Sequence, residues 1–319
     1  MSDQVNGLQH NQTWPELQLP DLLHSNETVR QVHATIEKEW DFLQRSACQT
    51  AAGRALWKHV IHDPLAALLA GEHYLRNLHE KMMKDHLNNA HETSGVILAV
   101  RTLWFDSRLE EFLNSTNGRE AQVVLLGAGM DTRAYRLNCL KDSDVFEVDF
   151  AEVLEVKSTI LQAAKESIFD SQHSMSKAKS LTRVAADIRE NDWMEKLQIA
   201  GFLPQKSTVW ILEVIIADFM NKSSTTLSNS VFQFYSDWPD QLLPSIGFTH
   251  VKLSQIGDPD AHFGLLNDPL NLFNKLRSLP RSLQTNPEDG APCCRLYLVE
   301  ASGSPDQNSA HNKESVIQS

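Results

Sequence analysis

The run Val123-Val-Leu-Leu-Gly-Ala-Gly-Met-Asp-Thr-Arg133 decides how this chain is read. It starts as a short, unbroken apolar segment, the pattern of a strand buried on both faces, and ends in a glycine turn. In a parallel sheet, ligands sit outside the carboxyl ends of the strands. A turn built on Gly127 and Gly129 lets the backbone approach a ligand where a Cβ would block it. A turn for nucleotide phosphates needs G-x-G-x-x-G, and Thr132 stands where the third glycine would. The pyrophosphate fingerprint is incomplete, so a cofactor without phosphates fits better.

Downstream the same pattern recurs. AQVVLLG (121–127), DVFEVD (144–149), LTRVAADI (181–188) and STVWILEV (207–214) alternate with polar or helical segments such as FAEVLEVKSTILQAAKESI (150–168). Strand, helix, strand, helix implies an α/β fold with a mostly parallel sheet. GFTHVKLSQIG (247–257) and CRLYLVEAS (294–302) predict an antiparallel C-terminal hairpin across a long loop that contains a short helix, DPLNLFNKLRSL (268–279).

Upstream, from Glu27 to Leu113, the spacing is helical throughout. VRQVHATIEKEWDFL, TAAGRALWKHVI halted by Asp63-Pro64, PLAALLAGEHYLRNLHEKMM and SGVILAVRTLWFDSRLEEFL predict an N-terminal helical cap over a core of 121–301. Residues 1–26 and 302–319 are polar, with little to bury, and are expected to be disordered.

At 319 residues, 41% of them hydrophobic, the chain can bury a sizeable core. A net charge of −12 with no Lys/Arg block argues against a nucleic-acid or membrane partner. No apolar run approaches the roughly 20 residues of a spanning helix, and the N-terminus lacks a secretory pattern, so a cytoplasmic protein is expected. Cys48, Cys139, Cys293 and Cys294 fit reduced thiols, and adjacent cysteines do not have zinc-ligand spacing, so no metal is expected.

The acids at the strand ends carry the chemistry. Asp149 follows Gly127 by 22 residues, where a carboxylate at the second strand tip accepts hydrogen bonds from a ribose diol. Asp187 ends the third strand and can accept from an adenine amino group, with Ile188 against the base. Glu213 closes the fourth, beside a cationic group. Each acid alone fits a surface carboxylate or a helix cap. Four successive strand ends carrying Gly, Asp, Asp and Glu point to one ligand site.

The segments DPLAALLAG, AVRTLWFD, QVVLLGAGMDTRAYRL, VFEVDFAEVLEVK, AADIRE and TVWILE together resemble the leucine carboxyl methyltransferase family, from about Gln49 to Glu300. The resemblance implies a Rossmann-like methyltransferase that uses S-adenosyl-L-methionine. It also implies a carboxylate acceptor, either a protein C-terminus or a small-molecule acid. Its site would have Arg101 on the methionine carboxylate, Gly127 against the cofactor, Asp149 on the ribose, Asp187 and Ile188 around the adenine, and Glu213 completing the pocket. Two other readings stay open. One is a relative that binds the cofactor or partners without turnover. The other is an NAD(P)-dependent oxidoreductase, against which the absent third glycine counts.

The sequence departs from the family after Glu213, where a crossover helix is normal. Val214-Ile-Ile-Ala-Asp-Phe219, itself strand-like, follows at once. Neighbouring parallel strands need a crossover of roughly a dozen residues, so VWILEVIIADF cannot fill two parallel slots.

Overall fold

A computed structural model describes residues 15–88, 95–115, 120–168, 175–213, 239–245, 248, 250–265 and 297–302. The segments VIIADF (214–219) and DPLNLFNKLRSL (268–279) lie outside the described residues.

Among the described residues six helices lead: α1 (Leu22–Ser25), α2 (Glu27–Glu39), α3 (Phe42–Leu56), α4 (Ala66–Ala70), α5 (Glu72–Leu87) and α6 (Val96–Ser115). Their boundaries follow local chemistry. Asn26 caps α2 by accepting from the Val29 N–H, and Asp41 and Gln44 form a reciprocal capping box that breaks VRQVHATIEKEWDFL into α2 and α3. The run PLAALLAGEHYLRN is likewise split, at Gly71. Its φ of +79° suits glycine, and a Cβ there would lie 2.5 Å from the His33 ring. Residues 21–26, which the composition assigned to the polar N-terminus, instead form α1 and the α2 cap. Leu22 and Leu23 are buried in the helical core, which offsets the entropy of ordering them.

The sheet contains β1 (Gln122–Leu126), β2 (Asp144–Asp149), β3 (Ser180–Ala185) and β4 (Thr208–Leu212), ordered β3-β2-β1-β4 and parallel throughout. The short helix α7 (Arg133–Arg136) and a 3-10 turn (Asn138–Asp142) lead from β1 to β2. Helix α8 (Ala151–Ile168) crosses to β3, and α9 (Trp193–Ile199) crosses to β4. The order reverses at β1, between β2 and β4, which is where open α/β sheets take ligands. Val123 and Leu125 pack with Leu109 and Leu113 of α6 on one face. Val124 packs with Phe146, Val184, Leu197 and Phe202 on the other. Burial on both faces is why β1 reads as an unbroken apolar run.

After α10 (Pro239–Ser245), β5 (His250–Gln255) pairs antiparallel with β6 (Tyr297–Ser302) as a separate two-stranded sheet. Leu298 and Ile256 join Trp57 and Trp104 in a cluster that ties this hairpin to the helical cap. The fold is thus Rossmann-like, mostly parallel, with an antiparallel hairpin and N-terminal helices. Among the described residues, no helix is long and apolar enough to cross a membrane.

A buried ion pair lies inside the sheet core. Glu147, in the middle of β2, is fully buried and accepts from the equally buried Lys157 of α8 at 2.8 Å and from Arg183 of β3 at 3.0 Å. Arg183 in turn donates to the Tyr135 hydroxyl, whose pKa is pushed up to about 12, mostly by burial. Lys157→Met leaves Glu147 paired with Arg183 alone, so the cost falls short of the roughly 3–5 kcal/mol of an uncompensated buried charge, at about 2 kcal/mol. Lys157→Met should therefore lower unfolding stability in urea by about that amount, and adding Glu147→Gln should recover part of it. Equal stability of Lys157→Met and the parent chain would show that Glu147 is satisfied without the lysine.

Candidate functional site

The carboxyl ends of β1, β2, β3 and β4 open into one cavity of about 300 Å³, at the small end of the range for ligand pockets. Arg101, Gly127, Gly129, Asp149, Asp187, Ile188 and Glu213 all line it, and α3 supplies the opposite wall with Leu43, Ala47, Thr50 and Arg54. The structure therefore brings every sequence-derived site residue to one place.

The two glycines do different work. Gly127 has φ +64°, and a Cβ there would meet nothing within 4 Å, so it faces open space. Gly129 has φ +46°, and a Cβ there would lie 2.9 Å from the Ala47 Cβ. Its missing side chain makes room for the cap helix, while the residue still lines the cavity. Thr132, in the third glycine's place, is committed elsewhere: its hydroxyl donates to Asp63 at 2.5 Å.

Asp149 is fixed by the turn it faces. One carboxylate oxygen accepts from the Gly129 N–H at 2.6 Å and the other from the Phe150 N–H at 2.7 Å. Burial raises its pKa, and these two donors only partly oppose the rise. Each oxygen retains a lone pair for a further donor.

Asp187 and Glu213 are both already paired within the chain. Asp187 holds Arg189 through both oxygens, at 2.6–3.0 Å, and this pairing lowers its pKa. Arg189 also lies over the Phe150 ring, 5.7 Å from its centroid. Glu213 accepts from Arg101 Nε at 2.6 Å and from Arg133 at 2.9 Å. The Nη2 of Arg101 is buried with no partner among the described residues. A guanidinium N–H in that condition calls for an acceptor.

Around Glu213 runs a charge network that sequence reading missed. Arg133 donates to Asp106 at 2.8 Å, to Asp131 and to Glu213. Arg136 pairs with Asp106 at 2.6 Å and approaches Asp63, and Arg54 binds Asp63 at 2.8 Å and the Met130 carbonyl at 2.5 Å. Burial alone would raise the Asp131 and Glu213 carboxyls. At Asp131 the Arg133 guanidinium, then Lys157 and Arg54, overrides burial; at Glu213 Arg133 and Arg101 do. Both are held at about 2. The sequence did offer a signal: Arg133, Arg136 and Asp106 sit among apolar neighbours in GAGMDTRAYRL and AVRTLWFD, where an uncompensated charge would be too costly to bury.

The family model described as leucine carboxyl methyltransferase matches residues 47–230. A Mycobacterium ulcerans protein named as a candidate S-adenosyl-L-methionine-dependent methyltransferase is 30% identical over 190 residues, covering 56% of this chain and 57% of that protein. A Mycobacteroides abscessus protein named in the same way is 31% identical over 186 residues, covering 56% of each chain. A Mycobacterium tuberculosis protein, also so named, is 38% identical over 119 residues, 37% of this chain and 34% of its own length. The chain thus matches little more than half the length of the first two.

The depressed carboxyls fix an acid window. Asp131 and Glu213 titrate near 3.8 and 4.5 when unperturbed and near 2 in the fold. Their contribution to stability is complete above about pH 4.5 and is lost as pH falls toward about 2. The urea midpoint should drop across that interval, and Glu213→Gln should flatten the drop. An undiminished pH slope in Glu213→Gln would remove this carboxylate from the acid transition.

Proposed function

This chain belongs to the leucine carboxyl methyltransferase family, and on that premise we propose that it is an S-adenosyl-L-methionine-dependent O-methyltransferase acting on a carboxylate. The observation that carries the reading is the buried Nη2 of Arg101, without a partner among the described residues, in the same cavity as the open Gly127 turn and Asp149. A carboxylate, a backbone-level approach and a hydroxyl donor are the three things those groups lack. The amino-acid end, thioether region and ribose of this cofactor offer all three. The relatives' names support the cofactor assignment.

In this reading Arg101 donates to the ligand carboxylate, with its fork held by Glu213. Asp149 accepts from the ribose while keeping its two backbone donors. Asp187 and Ile188 border the base. Docking an amino group on Asp187 requires Arg189 to release it. That pair is half-exposed on the arginine side, so the exchange costs little. When bound, the cofactor supplies a methyl group already activated on a sulfonium. The chain's tasks are alignment and exclusion of water. An ionised carboxylate acceptor needs no general base, and none is assigned. The acceptor is a protein C-terminal carboxylate or a small acid, approaching by the α3 wall, where Leu43 is exposed at the cavity.

S-adenosylhomocysteine at about 100 times its dissociation constant should stabilise the fold by roughly 2.7 kcal/mol, visible as a rise in melting temperature. Asp149→Ala should abolish that rise. It should also lower the starting melting temperature, because two backbone N–H groups lose their acceptor. A cooperative melt that ignores the ligand in the parent chain would sink the cofactor reading. An undiminished rise in Asp149→Ala would sink the ribose assignment alone.

A further inference from the structure

We infer that Arg133, which lies behind the cavity wall rather than on it, is a positioning residue for the amino-acid end of the bound ligand. The inference rests on the cofactor reading above and adds to it a residue with no ligand contact of its own.

Arg133 is almost fully buried and does not line the cavity. Its three nitrogens reach three carboxylates on three separate elements: Nε to Asp106 of α6, Nη1 to Asp131 in the turn after β1, and Nη2 to Glu213 beyond β4. The Phe105 ring lies 5.8 Å from its guanidinium carbon and helps fix the plane of the fork. Two of those carboxylates, Asp131 and Glu213, do line the cavity.

The geometry passes on through Glu213. One oxygen is held by Arg133 and the other holds Arg101 Nε, so the orientation of Arg101 is set at one remove by Arg133. Arg101 Nη2 has no partner among the described residues, with Glu213 turned to Nε. Without Arg133, Asp106, Asp131 and Glu213 would be a cluster of acids competing for Arg101 and Arg136. Arg101 would be drawn to them and away from a ligand carboxylate. The chemistry so arranged is that of an α-amino acid: a guanidinium N–H for its carboxylate and two fixed acids for its ammonium. A lysine at 133 keeps the charge but offers one point of donation, which cannot span three carboxylates.

The test compares two ligands. S-adenosylhomocysteine carries the amino-acid end, whereas 5′-methylthioadenosine keeps the nucleoside and lacks it. Dissociation constants for both are measured by calorimetry on the full chain and on Arg133→Lys, Arg136→Lys and Asp106→Asn. Arg133→Lys should weaken S-adenosylhomocysteine by roughly tenfold or more, the loss expected when a charge-assisted hydrogen bond is misplaced. It should leave methylthioadenosine within about twofold. Arg136→Lys, which touches Asp106 but neither cavity acid, should leave the ratio of the two constants unchanged. Asp106→Asn lies outside the cavity and loosens one anchor of the fork, so it should shift the ratio in the Arg133→Lys direction by about threefold.

An unchanged ratio in Arg133→Lys, or a proportionate loss of both ligands, overturns the inference, because a merely structural arginine weakens both alike. Should Arg133→Lys fail to fold, an unchanged ratio in Asp106→Asn overturns it. A parent chain that binds neither ligand fails at the cofactor reading itself. A parent chain that binds both but discriminates normally after Arg133→Lys fails at the inference alone.

Discussion

The structure depends on a closed set of buried charges. Arg54, Arg101, Arg133 and Arg136 face Asp63, Asp106, Asp131 and Glu213, so positive and negative groups balance in number. Asp63 and Arg54 come from the helical cap, Arg101 and Asp106 from α6, Asp131, Arg133 and Arg136 from the segment after β1, and Glu213 from the tip of β4. Such a network is a poor source of net stability, because each charge gives up its hydration on burial. It does make the elements interdependent. A displacement of one of them leaves a charge without its counterpart, which costs far more than loose apolar packing would.

That interdependence explains the cavity. One wall is the carboxyl edge of the sheet and the other is α3, two parts of the chain that local sequence does not bring together. Gly129 allows the approach by making room for Ala47, while Arg54 and Asp63 hold the cap down on Met130 and Thr132. Gly127 remains free of both duties and faces the open volume. The motif GAGMDTR is thus shared between the cavity and the cap, and its second half serves mainly as a joint.

Much of the fold was legible in the chain because periodicity records burial directly. The four parallel strands, the crossover helix α8 and the C-terminal hairpin all fall where apolar runs and alternation put them. The divisions at Trp40–Asp41 and Gly71 were not read, since the helical spacing continues across both. A capping box and one close contact with His33 decide those breaks. The burial of Leu22 and Leu23 was hidden by the polar residues around them.

The candidate site shows the same division. Glycines and acids at successive strand ends are a property of sequence order in a parallel sheet, so Gly127, Asp149, Asp187 and Glu213 could be placed on one edge from spacing alone. Their electrostatic states could not. Whether a carboxylate is free or paired depends on which cations the fold brings within hydrogen-bonding distance, and Arg101 and Arg133 stand 112 and 80 positions from Glu213. The sequence by itself determined the strands and the order in which their ends carry glycine and acids. Only the tertiary structure decided that Glu213 is clamped, that Asp187 holds Arg189 and that Arg101 keeps one donor without a partner among the described residues. Charge pairing acts through space between distant residues, whereas burial periodicity is written along the chain.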